Sequence, residues 1–230
     1  MQLPSRRTPV ERCLKASTFT IGALRTYPQV FESPPDVAAR LEAIAGILEP
    51  SSSALAIAHD NYRAAVLAII PHRLAVKLAD LHSADVVRSV KRAAEEAGPE
   101  IHQAVFPNGM TPITKPYGRA EVEGLRLLEG RIAAATNWAD RDAQLARVVA
   151  VRTKYEEVLQ ARQEAMLTAA AARAERDVAK EDLLDAFAEA AGAIQQIFPR
   201  DRARQDVFFD DLRRRVDDAD DDDGDDPSDG

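Results

Sequence analysis

A chain of 230 residues with 46% apolar content is long enough for one large domain or two small ones and apolar enough to bury a core. Aromatic residues make up only 5% and alanine carries much of the apolar total, which points to closely packed helices and away from a β-sandwich. The net charge of -8 arises at the C-terminus: residues 217–230, DDADDDDGDDPSDG, hold nine Asp and no base, and the remaining body sets 30 Lys and Arg against 29 Asp and Glu, without the basic excess of a dedicated nucleic-acid binder.

Arg6 and Arg7 precede TPVE, where Thr8 can cap, Pro9 suits the first helical position and Glu11 completes a capping box. A helix is predicted from Pro9 to Thr26, stopped by Pro28. SPPD at residues 33–36 starts a second, whose Val37, Leu41, Ile44 and Leu48 share one face; Pro50 and Ser51 to Ser53 end it. The next carries Leu55, Tyr62, Val66 and Ile69 and meets Pro71, which kinks it or begins another. Ser83 is a candidate cap for a helix through Val86, Val87 and Val90 that Gly98-Pro99 interrupts. Residues 107–118, PNGMTPITKPYG, read as a loop. From Arg131 to Ala191 there is neither Gly nor Pro, a run of 61 residues, and the weakly apolar stretch 168–177 is the expected tip of a long antiparallel hairpin.

Two pieces echo each other: QAVFP at 103–107 and QQIFP at 195–199, starting 92 residues apart. The reading is all-α: duplicated antiparallel helical hairpins, 54–107 and 138–199, packed as a four-helix-type bundle. The expected segments are an N-terminal helix and linker (1–35), a first hairpin with its preceding helix (36–107), a Pro/Gly loop (108–118), a second hairpin (119–199), an Arg/Phe amphipathic segment (200–216) and a disordered Asp-rich tail (217–230). Gln103, Phe106, Pro107, Gln195, Phe198 and Pro199 are assigned as helix terminators, each Gln within reach of a free terminal carbonyl. The rival reading is a pair of ligand-binding lips.

Catalytic and metal signatures are sparse. None of His59, His72, His82 and His102 has a His or Glu three or four residues before it, as di-iron bundles require. The tail places Ala219 and Gly230 where a calcium loop needs carboxylates. There is no phosphate-cradling Gly loop and no Gly-x-Ser-x-Gly. Cys13, the only cysteine, reads as a small buried thiol, and nothing requires an oxidising compartment. The N-terminus lacks a signal-peptide core and charges break the longest apolar segment, so a cytoplasmic protein without a membrane span is expected. The composition is of a kind found in GC-rich bacterial genomes.

Residues 199–216 are the most suggestive stretch. Arg200, Arg202, Arg204, Arg213, Arg214 and Arg215 form a basic patch that the acidic tail can cover or that a polyanion can occupy, and Phe208, Phe209 and the lone Trp138 are candidate partner anchors. Three functions fit: a non-catalytic scaffold, adaptor or assembly subunit working through protein–protein interaction, with no cofactor; a nucleic-acid-associated protein with an autoinhibitory tail; or a small-molecule binder or enzyme with a site between the hairpins. Self-association is expected through the second hairpin, with the 138–175 arm pairing with a second copy.

Overall fold

The computed structural model describes residues 3–210 and is all-α, with no strand among them. Helix α1 spans Val10–Val30, α2 Pro35–Ala97, α3 Pro99–Val105, α4 Thr111–Thr114, α5 Arg119–Ala134, α6 Arg141–Ile197 and α7 Arg202–Val207. The acidic tail and Arg213 to Arg215 lie outside the described residues.

The two expected hairpins are instead single helices. α2 runs unbroken for 63 residues and α6 for 57. Ser83, expected at the first tip, is buried inside α2, and the expected second tip, 168–177, lies inside α6. Alanine explains α6: it is the strongest helix former, no Pro interrupts the helix, and its one glycine, Gly192, lies within the last two turns. In α2, Pro50 and Pro71 are both exposed, so the carbonyl each leaves unbonded one turn back faces water. Leu48 and Leu55, on either side of Pro50, are fully buried. Each such leucine contributes about 1.5–3 kcal/mol, which offsets the roughly 3 kcal/mol that an internal proline costs. Pro28 likewise sits inside α1. Thr8 is no cap; Pro9 holds that position, and no side chain closes the helix start. The break that does occur is Gly98, whose φ of 125° a side chain rarely adopts, followed by Pro99 at the start of α3. The 107–118 loop holds one turn, α4.

The described residues form two units. Unit 1 joins residues 3–62 to 172–210: α1, the first part of α2, the last part of α6, and α7. Its core draws Cys13, Leu24 and Tyr27 from α1, Leu41, Leu48 and Leu55 from α2, Leu183, Phe187 and Ile194 from α6, and Phe208 after α7. Unit 2 is residues 63–171, the rest of α2 and α6 with α3, α4 and α5. Its core combines Val87 and Val90 of α2, Phe106, Ile113, Leu125, Leu128 and Ile132, Trp138, and Val148 and Tyr155 of α6. Within each unit α2 therefore pairs with α6, and the units cut across the sequential segments read from the sequence.

The two units follow one plan. Buried residues of α2 recur in α6 at a step of 100: Leu48 and Val148, Leu55 and Tyr155, Ser83 and Leu183, Val87 and Phe187, Val90 and Ala190, Ala94 and Ile194. Those of α1 recur in α5 and the residue that follows it at a step of 108: Cys13 and Glu121, Ala16 and Gly124, Ser17 and Leu125, Thr20 and Leu128, Leu24 and Ile132, Tyr27 and Ala135. Pro99 corresponds to Pro199, and Val105-Phe106 corresponds to Val207-Phe208. The pairing of Phe106 with Phe198 at 92 residues is thus replaced: the counterpart of Phe106 is Phe208, and both are fully buried.

Candidate functional site

On the part of α2 that belongs to unit 2, Leu67, Ile70, Leu74, Leu78 and Leu81 are 56–63% exposed. Their spacings of three, four, four and three residues align them on one helix face. Val76, Ser83, Val87 and Val90 of the same helix are buried, and at 100° per residue they fall about 180° round from that face. The helix thus has two apolar seams: one faces the unit 2 core, and the other is uncovered. Scattered surface leucines are ordinary, whereas these five large aliphatic residues form one continuous exposed face along four turns.

Unit 2 also contains a buried polar cluster with one side chain from each long helix. Ser83 of α2 donates a hydrogen bond to Glu121 of α5, and Tyr155 of α6 stands beside them. All three are completely buried. Burial pushes the Glu121 carboxyl up to about 7; nearby Asp80 adds to the rise, while hydrogen bonding from Ser83 and Tyr155 opposes it. Burial also lifts the Tyr155 hydroxyl well above its usual range. The Tyr155 oxygen accepts from the Gly118 backbone N–H at 3.1 Å. Gly118 has φ 69°, ψ -129°, which places it in a region that favours glycine, and it opens α5. Unit 1 has Leu183, Cys13 and Leu55 at the corresponding positions, so the polar cluster is peculiar to unit 2. The Cys13 thiol is itself raised by burial, partly offset by Lys180.

Beside Gly118 a groove of about 810 Å³ runs between α5 and α6, lined among others by Tyr117, Arg119, Arg126, Arg162 and Met166. Arg126 is held by Glu123 at 2.7 Å and Glu156 at 2.6 Å, and Arg152 joins Glu156 to Glu129. Arg119 and Arg162 have no ion-pair partner among the described residues, and the Arg162 Nε is buried without a hydrogen bond.

The residues singled out from the sequence fall as follows. Phe106 closes α3, with its N–H donating to the His102 carbonyl at 2.8 Å; Phe198 ends α6, donating to the Ile194 carbonyl at 3.0 Å. Pro107 and Pro199 follow, both exposed. Gln103 and Gln195 are exposed, and no hydrogen bond joins either to a helix end. The carbonyl of Phe198 is instead capped by the Gln205 side chain at 2.8 Å. Arg200 takes φ 63° in the turn before α7. Arg202 and Arg204 are exposed and lie 3.9 Å from Asp206 and 3.2 Å from Asp201, so each of these two has an acidic neighbour. Trp138, Phe208 and Phe209 are buried in the two cores, so none is presented as a surface anchor. On the 138–175 arm, the exposed large apolar residues are Val149, Met166 and Leu167, which form no continuous stripe.

The α2 stripe escaped sequence reasoning because residues 54–81 are apolar on several faces at once. Val66, on the line of Leu55, Tyr62 and Ile69, is exposed, and the 67-70-74-78-81 spacing is the sequence signal for the second seam. Among the described residues no three His, Cys, Asp or Glu side chains are placed to hold a metal ion, and no helix is long and apolar enough to cross a membrane. The chain matches no protein-family model, no curated protein and no solved structure.

Proposed function

We propose that this is a non-catalytic helical protein that acts by binding another protein surface through α2, as a scaffold or assembly subunit. The exposed leucine stripe carries the reading. Five large aliphatic side chains in water forgo about 1 kcal/mol or more each, a cost that covering the face by a partner removes. Arg202 and Arg204 of α7 each have an acidic neighbour, which lessens the free base charge that these two can offer a nucleic acid. The test is the variant L67Q/L74Q/L81Q. It retains the helical circular dichroism and melting temperature, since the side chains are exposed, and loses the associations of the intact chain in light scattering and co-purification. Full association by a folded triple variant overturns the reading.

The groove beside Gly118 supports a second role, as a pocket for a small anionic molecule with an apolar end, since Arg119 and Arg162 stand unpaired beside Tyr117 and Met166. Calorimetric titration of the intact protein with amphiphilic carboxylates and phosphates tests it; no heat of binding, or heat unchanged by R119Q and R162Q, removes it.

A further inference from the structure

We infer that the α2 stripe is the seam of an antiparallel homodimer, in which α2 of one copy lies along α2 of a second with the two Leu74 side chains opposite each other. This rests on α2 being the binding surface and names the partner.

The observation behind it is a palindrome of exposed side chains. Counting outward from Leu74, Ile70 and Leu78 stand four residues away, Leu67 and Leu81 seven, and Arg63 and Asp85 eleven. All seven residues are exposed and belong to unit 2. At 100° per residue, they lie within about 40° of the line through Leu74. An antiparallel copy sets each residue against its counterpart: Leu67 meets Leu81, Ile70 meets Leu78, and Arg63 meets Asp85 at both ends. A parallel copy sets Arg63 on Arg63 and Asp85 on Asp85, so the charges select the antiparallel register.

The spacing also suits a long, nearly straight contact. Arg63, Leu74 and Asp85 are eleven residues apart, a period of three full turns that keeps the seam on one face. Arg63 has no ion-pair partner among the described residues. Asp85 holds Arg88 of its own helix at 3.1 Å, an exposed pair that exchanges readily. A two-fold contact needs one patch complementary to itself, and the palindrome supplies it. At the positions 100 residues on, α6 has Leu167, Ala170, Ala174 and Val178, so only α2 carries large side chains through the centre.

Charge reversal tests the register in the full chain. Arg63 and Asp85 are 22 residues apart, about 33 Å along the helix, so they cannot pair within one copy. The intact protein sediments as a dimer at low ionic strength. R63D and D85R each weaken dimerisation about tenfold or more, and the double variant R63D/D85R restores it. In a C13A background, L74C is joined across the dimer by a short bismaleimide, whereas L67C is not, because its two copies lie about 21 Å apart. A monomeric intact protein, or a dimer indifferent to both reversals, overturns the dimer. A monomer whose other associations vanish in L67Q/L74Q/L81Q leaves the binding surface standing, and a dimer unmoved by that triple change removes both readings.

Discussion

Ser83 on α2 donates a hydrogen bond to the carboxylate of Glu121 on α5, and both side chains are completely shut off from solvent. Glu121 also sits in the first turn of α5, where the helix dipole favours a negative charge. Burial opposes that preference and wins, leaving the group close to half-protonated at neutral pH.

Glu121 therefore sets a pH dependence. Its pKa is about 7 in the fold against an ordinary 4.5, so between these values the folded state binds more protons than the unfolded one. Stability falls as pH rises through that window and levels off above it, a loss of about 3 kcal/mol. Glu121→Gln keeps an acceptor for Ser83 and removes the titration. Chemical denaturation of both proteins at pH 5 and pH 8 checks this: the wild type is less stable at pH 8, the variant is not, and the variant is the more stable of the two at pH 8.

Gly124 is where α4 rests on α5. A Cβ there would lie 3.3 Å from the Ile113 backbone, closer than the turn accommodates without shifting. Gly124→Ala is expected to lose about 1 kcal/mol despite its better helix propensity. Gly22 and Gly46 have open space around the same position, and alanine there gains about 0.5–1 kcal/mol. Thermal melts of the three variants should therefore shift in opposite directions.

Pro50 removes a hydrogen bond from the first part of α2 and is exposed to solvent. Pro50→Ala restores the bond to the carbonyl of Gly46 and is expected to raise stability by about 1–3 kcal/mol. Urea titration gives the magnitude, and unchanged stability would mean that the surrounding packing has already absorbed the defect.

Phe208 stacks on Phe198 at 5.7 Å and meets Tyr27 in a tilted contact at 5.0 Å, tying the chain after α7 to both α1 and the end of α6. Phe208→Ala is expected to cost about 3 kcal/mol. Hydrogen exchange should show the loss in unit 1, at the C-terminal end of α6, before unit 2 responds.

The all-helical class was legible from alanine content and from apolar spacing, and Gly98-Pro99 was legible as a break because φ there suits only glycine. The long helices were not. Pro50 and Pro71 carry a local stop signal, and packing of Leu48 and Leu55 on the opposite face overrides it. The stretch 168–177 looked like a tip because it lacks large side chains, yet alanine and arginine make good helix, and the Arg176 guanidinium lies 4.4 Å from the centre of the Tyr62 ring. The Phe-Pro echo recurs at 92 residues, whereas the structural repeat runs at 100 to 102. Phe198-Pro199 matches Gly98-Pro99 in place, and the buried aromatic that corresponds to Phe106 arrives ten residues later as Phe208. Glu121 could not be singled out, because a carboxylate in a first helical turn is ordinary on a surface, and only the tertiary fold buries it.

The division of the chain into units has a consequence for biosynthesis. Residues 63–171 are contiguous, so everything unit 2 requires is synthesised before residues 172–210, which unit 1 needs, are added. Unit 1 must wait: its opening residues stay without their partners until 172–210 emerge, and their apolar faces depend on chaperones or on nascent helix formation in the interval. A translation pause once residue 171 has cleared the ribosome would let the central piece settle first, and termination at 171 would release that middle with an unpaired N-terminal arm.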